Sequence, residues 1–579
     1  MAEIEHIRHT LAHLLAATVR DLYPGAKNAI GPSIDNGFYQ DFDMGSHKVS
    51  EEDFPKIEKR MREILKTWTT SSHREVTAEE AQKEYAWNEY KAELANEFAQ
   101  GGKTITFYRL GDFDDLCKGG HSENPEKEVN PDGFKLDRVA GAYWRADSSK
   151  KMLTRIYGLA FETKGELDHY IAMREEAKKR DHRKIGKELD LFVFSDLVGA
   201  GLPLFTPKGT VLRDEISNFT QELRIKRGFQ KVWIPHITKT DLYKTSGHWA
   251  KFGHELFLVK SQETDTDFVL KPMNCPHHQQ IYAGKPRSYR DLPLRYLETT
   301  TVYRDEKTGE LSGLSRVRAI TQDDSHIFCT PEQIEQEFQS IIEMVKIFFT
   351  AVTMPFRARL SFRDPKTPEK YLGEEALWQK AQDIILTIAK NNNLDYFIAE
   401  GEAAFYGPKI DFMAYDALGR EHQLATPQLD FVQPARFELK YSDKDGTEKT
   451  PVMIHLAVAG SLERFLSVYI EHTAGVFPLW ISPIQARVLP IGEGHQAFAH
   501  EVLEQLKAAG IRAELDESNE SLGKKIREAK QQKVPYLLVI GDQEVAAKTA
   551  TLESREAKIG ALPIADIVSK LTAEIKARA

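Results

Sequence analysis

Residues 302–327, VYRDEKTGELSGLSRVRAITQDDSHI, hold two polar, strand-like runs joined by a glycine-containing turn, and Arg304, Arg316 and Arg318 surround that turn. Guanidinium forks pair bidentately with phosphate or carboxylate oxygens and stay charged throughout the physiological range. Glu306 lies two residues after Arg304, so on an extended strand both side chains share one side. A carboxylate placed there accepts a hydrogen bond from an adenine amino group while the arginine holds phosphate. The stretch therefore reads as a hairpin built to hold a nucleotide. A charged, solvent-facing hairpin is the competing reading, because charge runs commonly mark solvated faces.

Length and composition bound the rest. At 579 residues the chain exceeds one hydrophobic core, and a norm of about 100 to 200 residues per domain implies roughly three or four domains. Hydrophobic content of 41% and charged content of 28% are ordinary for a globular protein. No apolar run reaches the roughly 18 residues of a spanning helix, and the opening MAEIEHIRHTLAH lacks the basic front and apolar block of a secretory signal. Three cysteines are too few for a disulfide scaffold, so a cytoplasmic location without a membrane is expected. The net charge of −9 argues against indiscriminate nucleic-acid binding but leaves room for a local basic surface.

Four segments follow from the pattern. Residues 1–160 mix helix and strand signals and form a first, α+β domain. Residues 161–190, containing ELDHYIAMREEAKKRDHRKIGKELD, are rich in helix formers with apolar residues at helical spacing, which predicts a connecting helix. Over 191–480, β-branched runs alternate with amphipathic stretches such as PEQIEQEFQSIIEMVKIFF, predicting a mainly antiparallel sheet flanked by helices. Over 481–579, the order ARVLPI, FAHEVLEQLKAAG, IRAEL, GKKIREAKQQK, PYLLVIG predicts a βαβαβ unit with a parallel sheet. The fold class is thus multidomain, α/β and α+β, without internal repeats.

The 302–327 stretch resembles the second signature of the class II aminoacyl-tRNA synthetases, an Arg-x-Glu strand, a loop and a returning strand. Residues 209–235, GTVLRDEISNFTQELRIKRGFQKVWIP, resemble the first signature, a helix running into a strand that ends at Pro235, which in that family builds the dimer interface. GSLERF, Gly460 to Phe465, resembles the third. KPMNCPHH, TQDDSHIF, AAFYGPKIDF and PVMIHLAVAGSLERF narrow the resemblance to the threonyl branch, and it spans essentially the whole chain. It implies an N-terminal editing domain, a class II catalytic domain and a C-terminal anticodon-binding domain. It further implies a homodimer and, as partners, threonine, ATP with Mg2+ and the tRNA for threonine.

Taken singly, Cys275, His326 and His455 each read as a buried cysteine or a satisfied core histidine. The resemblance makes them one zinc site per subunit, with a coordination position open to substrate. The chemistry demands such a site, because valine nearly matches threonine in shape and only a group that must bond the hydroxyl rejects it strongly. By the same resemblance Asp324 holds the threonine hydroxyl and amino groups, with Gln322 and Tyr406 nearby and Lys409 and Gln428 toward the activated carboxyl. Arg304, Glu306, Arg316, Gln423 and Arg464 contact ATP, Arg464 at its terminal phosphate. Catalysis rests on Arg304, Arg464, Gln322, Asp324, Tyr406 and Lys409, with no protein nucleophile. The competing readings are a class II ligase for another amino acid and a non-catalytic RNA-binding paralogue.

Serine carries the hydroxyl and lacks only a methyl, worth about 1 to 3 kcal/mol, so a hydrolytic second site is expected. His9 and His13, four apart, share a helix face, and Cys117 and His121 bracket a Lys-Gly-Gly turn. Two histidines with a Cys-x-x-x-His pair suit zinc or surface histidines equally well. The resemblance assigns them, with Lys91 and Asp115, to water activation in editing without a required metal.

The chain departs from the family in places. It starts at the His9 helix, where many bacterial relatives carry a further domain of about sixty residues. Ile320 stands where an aromatic commonly stacks on adenine, His277 replaces a glycine after the metal cysteine, and Gln40 replaces a tyrosine in the editing pocket. At the C-terminal end, Lys524, Lys525, Arg527, Lys530 and Lys533 form a basic run suited to an RNA backbone or to a solvated helix face. Asn519 and Glu544 match positions that read anticodon bases in relatives. TATLESREAK places Glu553 where arginine is common.

Overall fold

The computed structural model describes residues 3–578. The chain forms two compact units, Met1–Glu176 and Ala177–Ala579. No helix among the described residues is long and apolar enough to cross a membrane.

In the first unit, helix α1 (Ile4–Leu22) buries Leu11, Leu14, Leu15 and Val19. Against it packs α2 (Phe54–Leu65), which buries Phe54, Ile57, Met61 and Leu65, a helical spacing that gives one apolar face. Strand β1 (Gly37–Asp43) is central to an antiparallel sheet with two later strands. A separate antiparallel sheet of β2 (Ser71–Val76), β3 (Ile105–Leu110) and β4 (Phe113–Leu116) flanks α3 (Glu89–Gln100). The chain returns through β5 (Phe134–Tyr143) and β6 (Met152–Ala160), of which β6 pairs with β1 and β5 lies outside β6.

The 161–190 segment holds two helices, α4 (Lys164–Lys179) and α5 (His182–Glu188), where the sequence suggested one. Asp181 breaks the run. Its backbone is non-helical, and its side chain accepts from the Arg183 amide to cap α5.

The second unit is built on an eight-stranded sheet. Helix α6 (Pro207–Ile225) leads to β7 (Gln230–Lys231), only two residues long, so the strand expected to reach Pro235 ends early. Then come α7 (Cys275–Ala283), β8 (Leu294–Tyr303), β9 (Ala319–Cys329), α8 (Ile334–Ala351), β10 (Phe356–Phe362), α9 (Glu375–Asn391), β11 (Tyr396–Glu400), β12 (Lys409–Tyr415), β13 (Glu421–Asp430), β14 (Val452–Ser461) and α10 (Leu462–Thr473). The strand order is β7-β8-β9-β14-β13-β12-β10-β11, antiparallel except for the two edge pairs. One face carries the main core, where Ile327, Leu429, Ile454 and Leu456 meet Phe338, Ile341 and Val345 of α8. Residues one position out of phase, His326, Gln428 and His455, therefore face the opposite side.

The C-terminal part contains β15 (Ala486–Pro490), α11 (Gln496–Ala508), β16 (Ala513–Leu515), α12 (Leu522–Gln531) and β17 (Tyr536–Ile540) in the expected βαβαβ order, with parallel pairing. An antiparallel hairpin, β18 (Thr549–Ser554) and β19 (Lys558–Pro563), extends that sheet beyond the expectation, and α13 (Ile564–Ala577) closes the chain.

Candidate active sites

Strand register assembles the first site. Across four adjacent strands Lys409 pairs with Gln428, Gln428 with His455, and His455 with His326, which makes one transverse row. Along β9, Gln322, Asp324 and His326 alternate onto that same face. Asp323, between them, points the other way and is fully buried, accepting from the Val458 and Ala459 amides and pairing with Arg224 of α6. That grip coincides with a register shift between Gln322 and Asp324.

Cys275, first residue of α7, completes the row. Its Sγ and one nitrogen each of His326 and His455 lie within 4.8 Å of one another, all buried. Burial raises the thiol's pKa well above its usual value and drives that of His326 well down. A cation would offset the thiolate penalty, and the neutral imidazole that burial favours is already the ligating form. Two nitrogens and one sulfur with a fourth direction open fit the donor set of a zinc site that binds substrate. Both imidazoles are also held from behind: His455 Nε2 lies 2.9 Å from Asp430 Oδ2, and His326 Nδ1 lies 2.7 Å from His278 Nδ1. Asp324 Oδ1 is 3.8 Å from His326 Nε2, and its other oxygen accepts from Asn274 Nδ2 at 2.9 Å.

The remaining predicted residues fall around this centre. Tyr406 Oη donates to Gln428 Oε1 at 2.7 Å, and its ring lies 5.0 Å from that of His455. Lys409 and Gln423 meet at Asp411, at 3.0 and 2.7 Å, and Arg359 joins them. Asn274, His278, Asp430, Asp411 and Arg359 were not singled out from the sequence. Asp430 had a readable signal, since it alternates with Gln428 on one strand face.

The nucleotide loop differs from expectation. Strand β8 stops at Tyr303, so Arg304 and Glu306 lie beyond it and do not share a strand face. Glu306 instead binds Arg316 at 2.8 Å, and its carbonyl accepts from Arg318 at 2.9 Å. The guanidinium of Arg304, half-buried, bonds only the Met273 sulfur, at 3.6 Å, and pairs with no oxygen among the described residues. Burial lowers its pKa, so an incoming anion relieves a real cost. His248, another unpredicted residue, shares a cavity with Arg304 and Met273. Its Nε2 is buried without a partner, and burial brings its pKa down to about 3. Arg464 opens onto solvent from the first turn of α10, where Ser461 caps its amide at 3.3 Å.

The second site lies in the first unit. His9 and His13 project from one face of α1, and Cys117 and His121 follow β4. The intervening Gly119 and Gly120 have φ of 99° and 83°, a left-handed turn that glycine adopts without strain. Cys117 Sγ lies 3.5 Å from His9 Nε2 and 3.2 Å from His121 Nε2. Buried Lys91 donates to Asp115 at 2.9 Å, and Asp115 lies 3.7 Å from His13 Nδ1. Burial lowers the pKa of His9, His13 and His121 and raises that of Cys117 to about 11. At neutral pH the group is three neutral imidazoles and a protonated thiol. An open pocket of about 600 Å³ is lined by His9, His13 and Cys117 with Lys91 and Gln40.

At the C-terminal end the basic run is largely engaged. Lys525 is buried and donates to the carbonyls of Pro490 and Asp516, each at 3.2 Å, which corrects its reading as an RNA contact. Lys524 pairs with Glu520 and Lys530 with Glu553, each at 2.6 Å. Glu544 accepts from the Gly541 amide and from Thr551, at 3.0 and 2.7 Å, whereas Asn519 is exposed.

Residues 257–473 match the class II tRNA synthetase core domain of the G, H, P, S and T group, and residues 485–574 match an anticodon binding domain. A threonine–tRNA ligase of Gloeobacter violaceus is 48% identical over 587 residues, covering 100% of this chain and 93% of that protein. Among solved structures, the RNA binding domain of threonyl-tRNA synthetase from Cryptosporidium parvum matches with a TM-score of 0.65 and 38% identity, over 68% of this chain and 98% of that one. A putative threonyl-tRNA synthetase from Aeropyrum pernix matches with a TM-score of 0.61 and 28% identity, over 69% of this chain and 96% of that one.

Proposed function

The chain belongs to the threonine–tRNA ligases of class II, and from that membership we propose how its sites divide the work. The eight-stranded sheet joins threonine to ATP and then passes the threonyl group to the 3′ end of its tRNA. The first unit hydrolyses seryl-tRNA made in error. The observation that carries this reading is the row of Lys409, Gln428, His455 and His326, with Cys275 beside it and Arg304 left without an oxygen partner.

Cys275, His326 and His455 would hold a zinc ion, which would supply a Lewis acid for the amino and hydroxyl groups of the amino acid. Asp324, fixed by Asn274, accepts from those same groups. Valine, which lacks the hydroxyl, would leave the Asp324 acceptor unpaired, a loss that reaches about 10⁴ to 10⁵ in discrimination. The Tyr406–Gln428 pair and Lys409 steer the carboxylate. Its oxygen attacks the α-phosphorus of ATP, the bond to the β-phosphate oxygen breaks, and pyrophosphate leaves. Arg304 meets the growing phosphoryl charge, Arg464 holds the terminal phosphate, and Mg2+ accompanies ATP. A terminal ribose hydroxyl of the tRNA then attacks the threonyl carbonyl, giving up its proton as AMP departs.

In editing, neutral His9 or His13 takes a proton from water, whose oxygen adds to the seryl ester carbonyl, and returns it to the ribose oxygen as the ester C–O bond breaks, freeing serine and tRNA. The protonated Cys117 thiol favours water over a thiolate as nucleophile. We assign no metal to this step. Exposed Trp233 and Leu258, 76% and 70% accessible, support the homodimer expected near the first signature. Three free cysteines support a cytoplasmic location.

Amino-acid-dependent ATP–pyrophosphate exchange tests the reading. Exchange with threonine, some with serine and almost none with valine is expected. Folded, metal-loaded protein that exchanges with none of them would overturn it.

A further inference from the structure

Asp181, His182 and Glu471 bring metal-type ligand atoms within 4.8 Å of one another, outside both sites. Their hydrogen bonds already use them. The Leu314 amide donates to His182 Nε2 at 3.1 Å, and an amide nitrogen only donates, so Nε2 is the acceptor. The ring proton therefore sits on Nδ1, which donates to Glu471 Oε1 at 2.7 Å. The His182 amide reaches the same oxygen at 3.2 Å, and Arg420 takes the other oxygen at 2.6 Å. Asp181 is engaged by the Arg183 amide and side chain, at 2.8 and 3.0 Å. No ring lone pair remains for a cation.

What the histidine joins is informative. Leu314 lies in the 304–318 loop, two residues before Arg316, and its side chain is only 1% exposed. Glu471 lies on α10 seven residues after Arg464, two helical turns and about 10 Å along the axis, on the same face. His182 itself opens α5 and is 5% exposed. A Cβ on Gly313 would overlap its ring, so only glycine lets the loop come this close, and its φ of 48° is left-handed. One imidazole thus spans the loop that bears Arg304 and Arg316 and the helix that bears Arg464.

We propose that His182 is a positioning residue for ATP: through Leu314 and Glu471 it holds the arginine loop and the Arg464 helix at a fixed separation, so the two sets of arginines meet one nucleotide together. It touches no substrate. The identity of the nucleotide rests on the ligase reading, whereas the hydrogen-bonded node does not.

His182→Asn retains a donor for Glu471 and removes the acceptor for Leu314, whereas His182→Gln can place an oxygen near the Nε2 position. For His182→Asn, loss of one buried hydrogen bond is expected to raise the KM for ATP about tenfold. The KM for threonine should stay within about twofold of wild type, because no threonine ligand moves. Hydrogen exchange in the peptide carrying Leu314 should quicken, and His182→Gln should restore both properties in part. Gly313→Ala, which displaces the loop and spares His182, should reproduce the ATP effect and serves if His182→Asn fails to fold. Equal increases in both KM values, or faster exchange at Leu314 with ATP binding unchanged, would overturn the proposal. Absence of threonine-dependent exchange in the wild type would instead fault the ligase reading. Affinity for a non-hydrolysable ATP analogue, compared between wild type and His182→Asn, then decides the node: tenfold weakening supports it and no change overturns it.

Discussion

The protein contains two largely buried clusters of histidine and cysteine that look alike as lists and differ in the charges beside them and in the elements that carry them. In the sheet site, Cys275, His326 and His455 stand on a helix start and two paired strands, with Asp324 and Asp430 close by. In the first unit, His9, His13, Cys117 and His121 stand on a helix face and a glycine turn, and the nearest buried ion pair includes the ammonium of Lys91. Two carboxylates beside three donors favour a dication, whereas beside the four donors the Asp115 carboxylate is already neutralised by the Lys91 ammonium. The contrast teaches that donor type does not fix chemistry. The neighbouring charge and the stiffness of the support favour a proposed zinc site in one case and a proposed water-activating site in the other.

The sharpest way to break this comparison is Arg304→Ala. Removing this proposed donor to developing charge should cost about 10² to 10³ in threonine-dependent exchange, by the magnitude seen for oxyanion donors. Hydrolysis of seryl-tRNA by the same variant should be unchanged, and a parallel loss in that assay would mean the two sites are not separable. The mirror experiment is His13→Ala, expected to lower seryl-tRNA hydrolysis by about 10² or more while exchange stays level.

The carboxylate behind His455 gives a smaller effect. Asp430→Asn leaves all three proposed ligands in place and should weaken zinc affinity by about 10 to 100-fold, read by competition with a chelator. An equal affinity would show that Asp430 only packs.

The smallest expected effect is a pH response. Burial lowers the pKa of His9 and His13 below the ordinary 6.5, so the neutral, proton-accepting form persists as pH falls through that value. Seryl-tRNA hydrolysis should therefore hold level from pH 8 to pH 6.5 and decline only below it, after correction for the tRNA ester's own lability. A decline centred on 6.5 would point to an exposed, ordinary histidine.

Much of this was legible in the sequence, and the exceptions have physical reasons. The five C-terminal elements and the antiparallel sheet follow from local periodicity, which a window of a few residues contains. The row from Lys409 to His326 is set by strand register, which no local window contains, and only the resemblance brought those residues together. Glu306 was misplaced because β8 ends at Tyr303, one residue before the arginine, where the chain turns to bond Arg318. Lys525 looked like a surface cation because it lies in a charge run, yet two carbonyls hold it inside. His182 gave no signal at all, since its meaning lies in Leu314 and Glu471, both distant in sequence.

The most direct test of the central claim is to strip metal from the intact protein with a chelator and assay both activities on the same preparation. Loss of threonine-dependent exchange with seryl-tRNA hydrolysis retained, and exchange restored by zinc, is the predicted result. Exchange that survives metal removal, or hydrolysis that disappears with it, would contradict the division between the two clusters.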